Sequence, residues 1–257
     1  MGDNLGDRMK RYENITRYYL TRRTPVIIRL DGKGFHSFTK GFVRPFDDIL
    51  TNVMYQTMKE LCENVEGCVI GYTQSDEISL VMCDYQKLDT NAWFSNGLLK
   101  ICSITASLAT SAFNKYFRKA VENADGIYKK RIDKANFDSR AFSISKEEVN
   151  NYMIWRQQDA IRNSIQATTQ AYFSHSQLLG VNCNKAVKML LSEKNIDWNG
   201  FPLSLQRGVC CIKKPFVINE GTANEALRMK WVLDMEIPVF SENRDYVEDC
   251  IYFREKG

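Results

Sequence analysis

Histidine is almost missing from this chain: His36 and His175 are the only two in 257 residues. The eight cysteines never fall as Cys-x-x-Cys. These two absences argue against a structural zinc site and a disulfide framework, and fit reduced thiols in a cytoplasmic protein. No apolar run is long enough to cross a bilayer, and the polar start Met1-Gly2-Asp3-Asn4 does not read as a secretory signal. Repeats, low-complexity tracts and a linker are also lacking, so one domain over residues 1–257 is expected, large enough to bury a real core. Neither sign of charge dominates. The formal balance of +4 hints only faintly at an anionic partner. Hydrophobic content of 44% and charged content of 26% are those of an ordinary soluble globular protein.

What is present begins with residues 25–36, Pro-Val-Ile-Ile-Arg-Leu-Asp-Gly-Lys-Gly-Phe-His. Four of the five residues 26–30 are apolar and the run stops in Asp-Gly-x-Gly. That pattern predicts a buried strand ending in a tight turn with Asp31 at its tip. Residues 69–72 and 78–82 read as two strands of a hairpin. The polar turn between them, Thr73-Gln74-Ser75-Asp76-Glu77, carries two acids.

In chain order, residues 7–20 predict a helix packed on the domain. Asp47 or Asp48 caps a second helix, whose apolar residues Leu50, Val53, Met54, Met58, Leu61 and Cys62 keep helical spacing up to Gly67. A long helix is expected over 91–117 from the stripe running Trp93, Leu98, Ile101, Thr105, Leu108, Ala112, Phe113. Residues 121–135 read as a basic surface loop with little core. Residues 137–144 alternate as a fourth strand. Ser145-Lys146-Glu147-Glu148 forms a capping-box pattern opening a helical stretch to 179, long enough that a break inside it is anticipated. A short helix at 184–194 and strands near 208–212, 231–235 and 251–253 complete the reading.

The order over residues 25–144 is thus β-α-β-β-α-β, an α+β antiparallel split sheet with long helices on one face and a C-terminal helical and strand extension. In such a sheet the first and third strands are antiparallel neighbours, so Asp31 and Asp76 meet although 45 residues separate them. Two carboxylates that close repel unless a cation or proton intervenes. Their hard oxygens suit Mg²⁺, and two such ions can clamp the attacking and leaving oxygens of a phosphoryl or nucleotidyl transfer. The turn Gly32-Lys33-Gly34 lets backbone N–H groups approach a triphosphate. On residues alone, the same patterns also describe an ordinary hairpin turn and an ordinary solvated acidic turn.

Taken as blocks, Arg29-Leu-Asp-Gly-Lys-Gly-Phe-His-Ser-Phe38 and Gly71-Tyr-Thr-Gln-Ser-Asp-Glu-Ile-Ser79 resemble the tRNA(His) guanylyltransferase family, 3′–5′ nucleotide-adding enzymes with a palm-like core. Phe137-Asp138-Ser139-Arg140 resembles the family's Phe-Asp-Gly-Arg, and Trp155-Arg156-Gln157-Gln158-Asp159 its Trp-Arg-Gln-x-Asp. Four blocks in the family's order cover roughly residues 5–215. The resemblance implies a palm-like catalytic core over about 5–145, and a helical and C-terminal part over about 146–257. It implies that Asp31, the Gly32 carbonyl and Asp76 bind two Mg²⁺, with Glu77 a further ligand or an outer-shell group. Asp31 through His36 (Gly32, Lys33, Gly34 and Phe35 between them), Asp47, Ser75 and Asp76 would hold an incoming nucleoside triphosphate. Lys100 and Arg140 would touch the second triphosphate, the one that activates the RNA end. GTP and ATP are the implied substrates, tRNA the partner, with Arg156, Arg162 and Asn163 as candidate RNA contacts and a homotetramer by precedent.

One block departs. Eukaryotic members read His-Ile-Asn-Asn-Leu-Tyr-Asn-Thr where this chain has Ile161-Arg-Asn-Ser-Ile-Gln-Ala-Thr168. The family ties that histidine to tRNA(His), so its loss implies template-dependent repair of 5′-truncated tRNA over obligate addition of a single G to tRNA(His). Two other readings share the acids: a palm-fold nucleotidyl cyclase, and an RNA-binding module without catalysis. Plainer roles also stand beside each candidate. His36 could merely close the turn, Lys100 could snorkel, and Arg140 could pair with Asp138. Arg156, Arg162 and the basic residues 129–134 could be solvated faces.

Overall fold

The computed structural model describes residues 4–124, 126–218 and 226–253. The first helix is α1 (Leu5–Asn14), with Asn4 accepting the Asp7 N–H as its cap. It buries none of its residues. The sequence-based expectation of a docked helix over 7–20 is corrected on both counts: Leu5, Met9 and Tyr12 are exposed. The core follows as β1 (Val26–Gly32), the short α2 (Phe35–Phe38), α3 (Asp48–Asn64), β2 (Cys68–Gln74), β3 (Glu77–Met82), α4 (Leu98–Ala120) and β4 (Phe137–Ser143). Beyond it come α5 (Lys146–Tyr172), α6 (His175–Leu178), α7 (Cys183–Lys194), α8 (Leu203–Arg207), β5 (Val209–Ile218), β6 (Ala226–Asp234) and α9 (Asp245–Ile251).

The six strands form one sheet in the order β4-β1-β3-β2-β5-β6, with every neighbour antiparallel. The anticipated adjacency of the first and third strands holds, from Val26↔Met82 to Asp31↔Glu77. Period-2 alternation then divides the side chains between two cores. Val26, Ile28, Leu30, Ile78 and Leu80 face α3 and α4, where they meet Met58, Leu61, Phe113 and Phe117. Ile27, Ile70, Tyr72 and Val81 face Val149, Tyr152 and Met153 of α5 and Val247 and Ile251 of α9. Both faces of the strands are covered, which is why they read as continuous apolar runs in the sequence. A third cluster, with Ile165, Phe173, Leu190 and Trp198, joins α5 to α7 and the 3-10 turn at Trp198–Gly200. Each large aliphatic or aromatic side chain so buried contributes about 1.5–3 kcal/mol.

Several boundaries differ from the sequence-based reading. The helix expected over 91–117 starts only at Leu98, because Phe94 and Ser95 take left-handed backbone angles (φ 48° and 53°) and break the run. Residues 121–135 are not a bare basic loop: Val121 and Ala135 are fully buried, and Ile127, Tyr128 and Ile132 pack on the first core. The anticipated break in the long helix falls at Phe173, and Ser174 with Gln177 forms the capping box of α6. Ser145 is the N-cap of α5, yet its side chain makes no capping bond. Residues 245–251 form a helix, where a strand was expected over 251–253. Among the described residues no helix is long and apolar enough to cross a membrane.

Candidate active site

The acids meet where β1 ends and β3 begins. Asp31 lies across the ladder from Glu77, and the Gly32 N–H donates to the Asp76 carbonyl at 3.1 Å. Ser75, left-handed at φ 50°, makes the tight turn, and its hydroxyl sits 3.1 Å from an Asp76 carboxylate oxygen. The Thr73 hydroxyl donates to the Glu77 carbonyl at 2.8 Å and closes the hairpin behind it. Burial first, and then the negative charge of Asp31, holds the Asp76 carboxyl above its ordinary value. A carboxylate pair in this state is short of positive charge.

Glu77 plays a different part from the one anticipated. Its carboxylate accepts from Arg29 Nη2 at 2.5 Å and from Arg156 Nη1 at 3.0 and 3.2 Å, and it is 5% exposed. With two guanidinium partners it is already neutralised, so the expectation of Glu77 as a direct catalytic or metal-binding residue is corrected, and the contacts favour the other alternative, an outer-shell group that ties β1, β3 and α5 together. Arg156 is corrected with it. It is 2% exposed, leans on the Trp155 ring at 3.4 Å and also pairs with Asp159 at 3.4 Å, so it has no surface to offer RNA. Helical spacing put it on a mixed face of α5; the sheet on which that face lies could not be read from spacing.

The glycine turn explains itself. A Cβ on Gly32 would stand 2.3 Å from the Phe35 ring, which is fixed among Phe38, Phe113 and Phe137. Gly34 takes φ 67°, a left-handed angle that glycine adopts at little cost. Lys33 and His36 are exposed. His36 and Phe35, together with Ser75, Asp47 and Asn163, line a cleft of about 310 Å³ beside the acids. Its remaining walls bring in residues that the sequence reading passed over: Phe46 and Tyr55, and Ser204 and Gln206 of α8. Gly208 closes the cleft at φ 86°; a Cβ there would lie 2.7 Å from the Thr73 carbonyl and the Tyr72 hydroxyl. A positive-φ glycine ahead of a strand is a signal that could have pointed here.

Asp47 lines this cleft, but its carboxylate is spent. It accepts from the Leu50 and Val43 N–H groups at 2.9 and 3.1 Å and from the Tyr128 hydroxyl at 2.6 Å. Burial and this contact push Tyr128 up to about 12. Arg140 remains by the acids: it projects from the same face as Asp31, bonds Asp138 at 3.0 Å and feels the Asp31 charge. Lys100 does not reach the acids within the chain. α4 runs back along β4, placing Thr110 by Phe137, Thr105 by Ser139 and Cys102 by Ala141, so Lys100 lies toward the far end of that strand from Asp138. There its ammonium sits 4.6 Å from the Phe94 ring centre. Arg162 is exposed and paired with Asp159.

The family model for tRNAHis guanylyltransferase matches residues 6–145, more than half of the chain. The chain belongs to the tRNAHis guanylyltransferase family. Family members are nucleotidyltransferases. The fold is similar to that of a bacterial tRNA(His) guanylyltransferase-like protein in complex with ATP, at TM-score 0.86 and 43% identity, over 98% of this chain and all of that one. A similar protein in complex with GTP superposes at TM-score 0.81 with 40% identity, over 97% of this chain and all of that one. Among curated relatives, an uncharacterised protein of Acanthamoeba polyphaga mimivirus is 29% identical over 98% of this chain and 89% of its own length. A probable tRNA(His) guanylyltransferase of Bos taurus is 28% identical over 73% of this chain, which spans 64% of that protein. The guanylyltransferase family match ends where β4 ends, while the structural likeness runs on through the helices and the second hairpin.

Proposed function

We propose that this protein adds nucleotides to the 5′ end of tRNA in the 3′–5′ direction, and that its task is template-dependent repair of 5′-truncated tRNA. The observation that carries the reading is the antiparallel pairing of β1 with β3, which gathers Asp31, Asp76 and the glycine turn beside a cleft that their neighbours Phe35, His36 and Ser75 line. ATP and GTP as substrates are supported by the nucleotides bound in the two bacterial relatives. The absent histidine block at 161–168 supports repair over obligate G addition to tRNA(His).

The donor set fits Mg²⁺. Asp31, Asp76 and the Gly32 carbonyl supply hard oxygens, Glu77 is already neutralised, and the raised Asp76 carboxyl marks a deficit of positive charge. Bound there, Mg²⁺ would neutralise triphosphate charge and polarise the reacting phosphorus. The chain's own residues do the rest. The Gly32–Gly34 turn approaches the triphosphate, and Arg140 adds charge on the same face as Asp31. The cleft behind His36 and Ser75 receives the nucleoside and keeps water from it. First the tRNA 5′-phosphate oxygen attacks the α-phosphorus of ATP and pyrophosphate leaves. Then the 3′-hydroxyl of GTP or another triphosphate attacks the activated 5′-phosphorus, forming the new P–O bond, and AMP departs. Cytoplasmic residence, a homotetramer and a single unit over 1–257 belong to the same proposal.

The test uses 5′-monophosphorylated tRNA lacking its first nucleotide, with labelled GTP, ATP and Mg²⁺, and the base opposite the gap varied. Incorporation that follows the opposite base and is lost in Asp31→Ala and Asp76→Ala is the expected result. Base-blind addition of one G, strongest on tRNA(His), would overturn the repair assignment. Triphosphate consumption without RNA would overturn the whole reading in favour of a cyclase.

A further inference from the structure

β5 and β6 run on past the rest of the sheet. β2 pairs with β5 only from Ile70↔Ile212 to Thr73↔Val209, whereas β5 stays paired with β6 out to Ile218↔Ala226. Beyond the Lys213–Trp231 pair, whose indole still packs on the core, this hairpin stands clear, and its two faces carry different chemistry. Register partners share a face. One face shows Pro215 with Met229 and Val217 with Leu227, all exposed. The other shows Lys214 opposite Lys230 and Phe216 opposite Arg228, all exposed except the half-buried Phe216.

That second face is unusual as it stands. Like charges directly across an antiparallel ladder destabilise it, and Lys214 and Lys230 occupy such a position with Arg228 two residues beyond. Among the described residues, Asp234 is the acid near them; it sits at the base of the hairpin, 3.7 Å from Lys214 and already accepting from the Tyr246 hydroxyl at 2.9 Å. The Lys230 ammonium also lies 5.1 Å from the Phe216 ring centre, so cations and a planar ring are interleaved. A polyanion with a repeating charge would relieve the repulsion, and a single small anion would leave part of it in place.

We propose that the Lys214–Phe216–Arg228–Lys230 face of the hairpin binds the phosphate backbone of the tRNA whose 5′ end lies at Asp31 and Asp76. The inference rests on the tRNA reading above. Val209 pairs with Thr73 next to the acid turn, so Lys214 and Phe216 stand five and seven strand residues from it, about 16–23 Å at ~3.3 Å per residue. The contact is thus remote from the chemistry and grips the body of the RNA, adding affinity and register without reading sequence.

The experiment compares the full-length protein with Lys214→Gln/Arg228→Gln/Lys230→Gln, measuring tRNA Kd by fluorescence anisotropy between about 50 and 200 mM salt. The slope of log Kd against log salt should shrink by about two to three units in the variant, since each phosphate contact contributes about one. The charge-keeping Lys214→Arg/Lys230→Arg protein should retain the wild-type slope. Circular dichroism and light scattering must show unchanged fold and mass. An unchanged slope overturns the proposal, as does a changed slope accompanied by altered mass, which would make the face a contact between copies. Binding is read without turnover. Templated addition by wild type with no slope difference sinks only this inference, whereas wild type that fails to bind tRNA sinks the substrate reading itself.

Discussion

Asp31 on β1 and Glu77 on β3 are register partners on one face of the sheet, yet the first lies half-buried against Asp76 and the second is held by Arg29 and Arg156. The backbone turn between Ser75 and Glu77 thus separates an acid that is free to act, Asp76, from one that is spent on structure.

Asp31→Ala and Asp76→Ala should each lower the rate of nucleotide addition by on the order of 10²–10³-fold, as for loss of a charge that stabilises the transition state. Single-turnover incorporation into truncated tRNA measures this. Fold should persist, because both acids are only half-buried at a strand end.

Asp76→Asn should raise the thermal midpoint of the metal-free protein at neutral pH. The Asp76 carboxyl is held above its ordinary 3.8, first by burial and then by Asp31. The folded state therefore binds that proton more tightly than the unfolded one. Stability falls as pH rises through the window above 3.8 and stays reduced once Asp76 is ionised. Differential scanning fluorimetry across that window should show this fall in wild type and not in the variant. Added Mg²⁺ should stabilise wild type and leave Asp76→Asn nearly unmoved.

Arg156→Met should cost about 3–5 kcal/mol, because it strips one of two partners from a buried carboxylate. At about 2–4 °C per kcal/mol in a chain of this size, the midpoint should drop by roughly 10 °C. Glu77→Gln should fall in the same direction while its Mg²⁺ dependence stays near wild type. A metal ligand would behave the opposite way, shifting Mg²⁺ dependence with little loss of stability.

Gly32→Ala should destabilise by about 1–3 kcal/mol, the range for overpacking a filled core. The new methyl meets the Phe35 ring, and Phe35 cannot retreat because Phe113 and Phe137 stand behind it at 5.3 and 5.2 Å between ring centres. Urea titration gives the value directly.

Much of this architecture was legible because it depends on periodicity. The apolar runs of β1 and β3 and the helical spacing of α3 are local patterns, and split-sheet topology then places Asp31 by Asp76 without any further information. Pairing among polar side chains over long separations was not legible. Nothing in Trp155-Arg156-Gln157 announces that the arginine will find Glu77, 79 residues away and under the sheet. The place of Lys100 was not legible for a related reason, since the direction in which α4 crosses β4 decides its distance from the acids. The basic run at 129–134 masked the apolar residues on either side that bury Val121 and Ala135.

α5 is a single rod of 27 residues, about 40 Å at 1.5 Å per residue. Arg156 ties it to Glu77, the residue after Asp76, and two turns further on Asn163 and Ser164 form one wall of the cleft. Gln157 is clamped at both ends, to the Pro238 carbonyl and the Phe240 N–H, and Ser164 is held by the Trp198 indole. Cleft width and acid spacing are consequently gauged from one ruler. A mutation that slides this helix to admit a larger base must also disturb the acids. Adaptation to a new nucleotide is therefore channelled to a wall that lies outside α5 and its packing partners, the loop over residues 43–46.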